Sequence, residues 1–286
     1  MLAVSGAELY NVLMGEDFDK VVDEIGPWTQ VKLEIIRKYA SAYSRIVKGF
    51  KFKTTYIDAF AGLGYHKSKE TQELVDGSPH IALHIEPPFD EYHFIDIDKL
   101  KVKSLANLRD THPAKVFVYE GDCNAILLKE VLPKLTYESY QKGLCLLDPY
   151  GLHLQWDVIR CAGQLKSTEI FLNFPIMDMN MNILKHSRKD VDPKQAQRLS
   201  LFWGDDSWEK VAYGTTHNLF GWEEKESNEV VVRAFCKRLQ QEAGFKYVAD
   251  PLPMKNRTNS TVYYLLFASP NDKGKKIVGD IFNRYR

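Results

Sequence analysis

The chain has 286 residues, 44% hydrophobic and 27% charged, with 38 basic and 38 acidic side chains. That length holds one large domain with a full core, or a core plus an insertion. Zero net charge excludes a global field that recruits polyanions and leaves only local basic patches.

No apolar run approaches the roughly 20 residues of a membrane helix. Met1 to Tyr10 lacks the basic and apolar regions of a secretory signal. The cysteines, Cys123, Cys145, Cys161 and Cys236, show no Cys-x-x-Cys spacing, so neither a metal nor a dithiol redox site is expected. The expectation is a cytoplasmic protein with free thiols and no membrane partner.

Residues 1–24 are acidic (Glu8, Glu16, Asp17, Asp19, Asp23, Glu24) and hold little core material. After Gly26-Pro27, apolar residues from Trp28 to about Val47 recur at helical spacing: Val31, Ile35, Ile36, Tyr39, Ala40, Tyr43. Strand patterns follow at Thr55–Ala59, Glu91–Asp96, Lys115–Tyr119, Gly143–Asp148 and Glu169–Phe174. Helical patterns lie between them, among them Pro79–Ile85, Lys99–Arg109 and Asn124–Leu135. Such alternation predicts a doubly wound, Rossmann-like α/β sheet. The pattern breaks after Phe174-Pro175 into a helical insertion of about 177–243 containing Trp203, Trp208 and Trp222, which read as its core. Tyr247–Pro251 and Val262–Ser269 are separated only by the polar loop 255–260, too short for a helical crossover, so that pair should be antiparallel. The organisation is an acidic segment and helix (1–50) packed on a core domain (51–286) with a seven-stranded sheet.

Chemistry concentrates at the predicted strand ends. Tyr56-Ile57-Asp58-Ala59-Phe60-Ala61-Gly62-Leu63-Gly64 runs from a strand into glycines two apart, where backbone can approach a ligand. It resembles the first motif of class I S-adenosylmethionine (SAM) methyltransferases, in the variant common among nucleic-acid methylases. Asp96, in Phe94-Ile95-Asp96-Ile97-Asp98, can accept both ribose hydroxyls, and Ile97 can pack on adenine. Asp98 is better placed as a helix N-cap. Asp122, in Glu120-Gly121-Asp122-Cys123-Asn124, can take the adenine amine or cap a helix. Leu146-Leu147-Asp148-Pro149-Tyr150-Gly151 resembles the Asp/Asn-Pro-Pro-aromatic motif of amino methyltransferases, with one proline where two are usual. There Asp148 and the Pro149 carbonyl would accept the hydrogens of an exocyclic amine, and Tyr150 would stack on an extruded base. Asn173 either lines the same pocket or satisfies a turn. Trp28 and Lys32, four apart, either close over the cofactor or are a core Trp and a solvated Lys. Lys48, Lys51 and Lys53 with Lys67 and Lys69 form one basic region; Lys255 and Arg257 with Lys273, Lys275 and Lys276 form another.

From Trp28 onward the chain is similar to the three-Cys-motif partner (TcmP) family. The resemblance is carried by Tyr56 to Gly62, Gly77-Ser78-Pro79, Asp148-Pro149-Tyr150-Gly151 and Tyr263-Tyr264-Leu265-Leu266-Phe267. It implies a SAM-dependent methyltransferase with SAM held by Asp58, Ala59, Phe60, Gly62, Gly64, Asp96, Ile97, Asp122 and Cys123. Catalysis would fall to Asp148, Pro149 and Tyr150; the resemblance supplies no substrate, and nucleic acid is the partner expected from the strand-end motifs. The alternative is a non-catalytic subunit of a radical-SAM-like three-Cys-motif protein. An NAD-linked oxidoreductase needs neither Asp58 nor Asp148-Pro149-Tyr150, and no Pro-Cys motif suggests a cytosine-C5 methylase.

Overall fold

The computed structural model describes residues 22–136, 138–214 and 225–286. Glu8, Glu16, Asp17, Asp19 and Trp222 lie outside them. A two-residue strand, β1 (Glu24–Ile25), turns at Gly26 into α1 (Pro27–Gly49). Proline suits the first helical position, where an N–H would have no intrahelical partner. The predicted apolar stripe is the buried face of α1: Ile35, Ile36, Tyr39, Ala40 and Tyr43.

Then come β2 (Lys53–Asp58), β3 (Tyr65–Ser68), β4 (Leu74–Asp76) and the short α2 (Ser78–Leu83). β5 (Glu91–Asp96), α3 (Lys99–Thr111), β6 (Lys115–Glu120) and α4 (Cys123–Ile126) follow. The continuous helix expected over 124–135 is instead a composite, because α4 passes into a π turn (Leu127–Val131) and a 3-10 turn (Leu132–Lys134). Pro133 has no N–H with which to extend an α ladder.

β7 (Gln141–Leu147), α5 (Trp156–Gln164) and β8 (Thr168–Phe174) continue the alternation. After Phe174 it stops, as expected. α6 (Ile176–Asn182), α7 (Pro193–Trp203), α8 (Trp208–Tyr213) and α9 (Asn228–Gln241) come next. Trp203 and Trp208 are buried there as core. The chain closes with β9 (Tyr247–Val248), β10 (Leu252–Lys255), β11 (Thr261–Ser269) and α10 (Asp272–Phe282).

The main sheet runs β10-β11-β8-β7-β2-β5-β6, with β9 pairing onto β11. Strands β6, β5, β2, β7 and β8 are parallel; β11 is antiparallel to β8, β9 and β10. This is a mixed α/β, Rossmann-like sheet closed by an antiparallel unit. The single strand expected at Tyr247–Pro251 is two short pieces, Val248 opposite Ala268 and Leu252 opposite Leu265. Pro251 and Pro253 cannot donate to a ladder, which confines this strand to an edge.

Helices α1, α2, α3 and α10 cover one face of the sheet; α4 to α9 cover the other. A second sheet, β1-β3-β4, has no counterpart in the sequence reading. Its strands are two to four residues long, and Tyr-His-Lys-Ser shows no apolar alternation.

Candidate functional site

Strand order reverses at β2 and β7, and the register Asp58–Leu146 and Asp58–Phe94 brings the carboxyl ends of β2, β7 and β5 level. In open α/β sheets that edge is where ligands bind. The loop after β2 is threaded between its neighbours. The Ala59 N–H donates to the Leu146 carbonyl at 3.1 Å, and the Ala61 N–H to the Ile95 carbonyl at 2.9 Å. Gly62 and Gly64 take φ of 66° and 86°, which a side chain would strain.

Asp96 ties this loop to the end of β5. Its Oδ2 accepts the Gly62 N–H at 2.9 Å and its Oδ1 the Asp98 N–H at 2.9 Å. Asp98 caps α3 as expected, accepting from Leu100 and Lys101. Asp122 caps α4, accepting from the Asn124 and Ala125 N–H groups and the Asn124 side chain. The capping alternative thus holds for Asp122, yet the residue also faces a cavity.

That cavity, of about 350 Å³, is lined by Ala59, Phe60, Asp96, Ile97, Gly121, Asp122, Cys123, Tyr150 and His153. The structure therefore gathers six of the nine expected cofactor residues, together with Tyr150. Ile97 and Tyr150 are 75% and 90% exposed. Asp58, Gly62, Gly64, Asp148 and Pro149 are not in the lining. Gly64 packs elsewhere, since a Cβ there would meet Leu108 at 2.7 Å, whereas one on Gly62 would point into open space. His153 went unnoticed in the sequence. It enters through Asn124, whose side chain donates to the His153 carbonyl and accepts the Gln155 N–H.

Asp148 lies one residue beyond β7. Asn173 Nδ2 donates to its Oδ1 at 2.7 Å, so Asn173 meets Asp148 rather than the backbone of a turn, and neither residue lines the cavity. Lys32 Nζ donates to Asp148 Oδ2. Lys32 is 5% exposed. Its ammonium lies 5.7 Å from the centre of the Tyr263 ring. The outcome reverses the commoner expectation for this helix turn: the lysine is buried and paired, and Trp28 is half-buried. Burial pushes the Asp148 carboxyl up, but the Lys32 charge and the hydrogen bonds from Lys32 and Asn173 outweigh it and hold it below its ordinary value.

Asp58 is fully buried, and burial raises its carboxyl to about 7 against the opposing hydrogen bonds of Ser78 and the Phe60 amide. Burial, then the Lys32 charge, push His66 down to about 4, leaving its ring neutral at pH 7. Asp58 Oδ2, His66 Nδ1 and Asn173 Oδ1 are buried with no hydrogen-bond partner among the described residues. The Gly77-Ser78 stretch closes the other side of the Asp58 loop. The Gly77 N–H donates to the Gly64 carbonyl at 2.7 Å, and a Cβ on Gly77 would sit 2.8 Å from that carbonyl.

A second buried carboxyl, Glu169, starts near the opposite end of β8, accepting from Tyr39 and Ser269. Burial raises it to about 7. The two basic regions of the sequence are re-sorted. Lys69 and Arg257 line one cleft, while Lys273 lies over the Phe50 ring and the Lys48 ammonium pairs with Asp90.

No family model matches the chain, and no curated protein matches it. Among solved structures it is similar to protein LPL1258 from Legionella pneumophila, at 12% identity and TM-score 0.50, covering 87% of this chain and 91% of that one. Trm1 from Pyrococcus horikoshii, solved with S-adenosyl-L-methionine, aligns at 11% identity and TM-score 0.43, covering 86% of this chain and 57% of that one. A candidate methyltransferase from Thermobifida fusca aligns at 14% identity and TM-score 0.41, covering 85% of this chain and 79% of that one. The Legionella likeness is one of fold.

Proposed function

We propose that this chain is a SAM-dependent methyltransferase acting on an exocyclic amino nitrogen of nucleic acid. One observation carries the reading. A cavity at the switch point gathers the strand-end residues Asp96, Asp122 and Tyr150, beside a part-buried Lys32–Asp148–Asn173 cluster with polar atoms around it that have no partner among the described residues.

The residues fit the cofactor. Each Asp96 oxygen accepts one loop N–H and keeps a lone pair for a ribose hydroxyl. Ile97 offers an apolar surface to adenine, and Asp122 an acceptor to its amine. Buried polar atoms without partners are costly, on the order of 1–3 kcal/mol each. Asp58 Oδ2 and Asn173 Oδ1 would accept from an ammonium, with Lys32 available to a carboxylate. An amino-acid tail carries both groups. The bound cofactor supplies a methyl group already activated on a sulfonium.

This chain's own task is placement. Asp148 follows Leu144-Cys145-Leu146-Leu147, buried on both faces, so the strand end is rigid. Held ionised by Lys32 and Asn173, Asp148 is an acceptor for an amine hydrogen rather than a strong base. The Pro149 carbonyl is the second acceptor, and the exposed Tyr150 ring is the surface for the base. Membership of the TcmP family rests on the short ordered motifs alone, and the partner-subunit reading rests on it in turn.

Titration with S-adenosylhomocysteine, followed by transfer of labelled methyl into DNA, RNA and protein fractions, tests the proposal. Incorporation into nucleic acid that is lost in Asp148→Ala supports it. Cofactor binding with no transfer to any fraction moves the assignment to the partner subunit.

A further inference from the structure

We infer that the cleft between Trp28, Lys69 and Arg257 holds the sugar-phosphate strand flanking the methyl-accepting base, so that the substrate is a single-stranded polynucleotide and not a free nucleoside. This rests on the nucleic-acid reading above. The cleft has a volume of about 260 Å³. Lys69 comes from the turn after β3, and Arg257 from the β10–β11 loop, 187 residues away from Glu70, with which it pairs. Both loops are braced. Asn256 Oδ1 accepts from the Thr258 and Ser260 N–H groups and the Thr258 hydroxyl. Ser68 Oγ accepts from the Glu70 and Thr71 N–H groups at 3.3 Å. Two cations are thus presented on fixed loops beside a half-exposed indole, the combination that binds single strands by phosphate contact and base stacking.

Helix α1 connects the cleft to Asp148. Trp28 and Lys32 are one turn apart on α1, about 6 Å along the axis. Lys32 ends on Asp148, and the Tyr263 hydroxyl, whose ring lies under the Lys32 ammonium, donates to the Trp28 carbonyl at 3.5 Å. A base on Tyr150 and its neighbour on Trp28 would flank the buried lysine. Glu70 is the one carboxylate among the lining residues. Its pair with Arg257 is exposed (side chains 74% and 40% accessible), so solvent screens it and a phosphate can take the guanidinium over. Glu70 then acts as a weak competitor for the strand.

The test measures binding of short single-stranded RNA and DNA oligonucleotides to the full chain between 50 and 200 mM salt. Each lost phosphate contact lowers the slope of log affinity against log salt by about 0.7. Lys69→Ala with Arg257→Ala should therefore lower it by about 1.4, so that over this fourfold range the parent loses roughly sevenfold more affinity than the variant. Glu70→Gln should bind more tightly than the parent. Trp28→Phe should keep binding but lose most of the oligonucleotide-induced fluorescence quench. Unchanged S-adenosylhomocysteine affinity in each variant shows that it has folded. An unchanged salt slope in the double variant, or no gain in Glu70→Gln, overturns the cleft while leaving nucleic-acid methylation standing. A parent that binds no oligonucleotide and methylates only protein overturns both. The RNA and DNA arms identify which strand is held.

Discussion

Replacing Lys32 with methionine tests the centre of the site. The change keeps the length of the side chain and removes its charge, leaving Asp148 with Asn173 as its remaining hydrogen-bond donor. Removing one partner from a buried ion pair costs about 3–5 kcal/mol, because the other charge stays behind. Asp148 is 24% exposed and keeps its hydrogen bond from Asn173, which places the expected loss near about 3 kcal/mol. The loss depends on pH. In the parent the Asp148 carboxyl is held below its ordinary value, so its contribution is present above that value and fades as pH falls through the lowered one. Without Lys32, burial is opposed by the Asn173 hydrogen bond and the weaker His66 charge, the carboxyl rises, and the variant loses stability as pH climbs through the new value. The gap between parent and variant should therefore be wider at pH 8 than at pH 5. Adding Asp148→Asn should restore much of the loss, with a coupling of about 0.5–3 kcal/mol. Urea unfolding of the four proteins at both pH values measures this. Additive single changes, or a gap that ignores pH, would refute the argument.

Four further outcomes follow from the geometry. Asp58 is raised to about 7, so its contribution is complete below its ordinary value and lost as pH rises through about 7. Thermal melts of Asp58→Asn should be flatter between pH 6 and 8 than those of the parent, Glu169 titrating alike in both. Asp96→Ala frees the Gly62 and Asp98 N–H groups and, on the proposed cofactor placement, unpairs the ribose, so S-adenosylhomocysteine should weaken by about 1.5–3 kcal/mol in a calorimeter; a folded variant that binds as tightly as the parent removes the ribose assignment. Gly62→Ala should lose about 1–2 kcal/mol for its left-handed backbone, and Gly64→Ala more, because its Cβ also meets Leu108; equal losses by denaturant unfolding would contradict that packing. Tyr150→Ala, at a 90% exposed position, should leave stability within about 0.5 kcal/mol while acceptor binding falls by about 1–3 kcal/mol; unchanged acceptor affinity would move the base elsewhere.

The central parallel strands β7 and β8 were legible because burial on both faces writes them as apolar runs, such as Leu144 to Leu147. The aspartates Asp58, Asp96 and Asp148 were legible for the same reason, since the runs of β2, β5 and β7 lead into them. The β1-β3-β4 sheet was hidden because its strands are only two to four residues long and β3 is polar. Lys32 shares a helix with solvated lysines and arginines, and only its meeting with Asp148, 116 residues away, distinguishes it. The dual place of Asp122 was half legible: capping is a local pattern, but the cavity beside it needs Tyr150 and His153 from a later loop.

Helix α1 has a consequence for the order in which the protein is made. It leaves the ribosome early, yet many of its partners come late: the Tyr39 hydroxyl donates to Glu169, the Trp28 carbonyl accepts from Tyr263, Lys38 Nζ reaches the Tyr285 hydroxyl at 2.7 Å, and α10 packs alongside. Until those segments emerge part of its apolar stripe lacks its partners, a period in which chaperones and aggregation compete for such a surface. Lys32 settles at Asp148 only with the same docking. A half-synthesised chain thus holds Ala59, Asp96 and Asp122 of the cavity lining, but not Tyr150 or the carboxylate on which Lys32 ends.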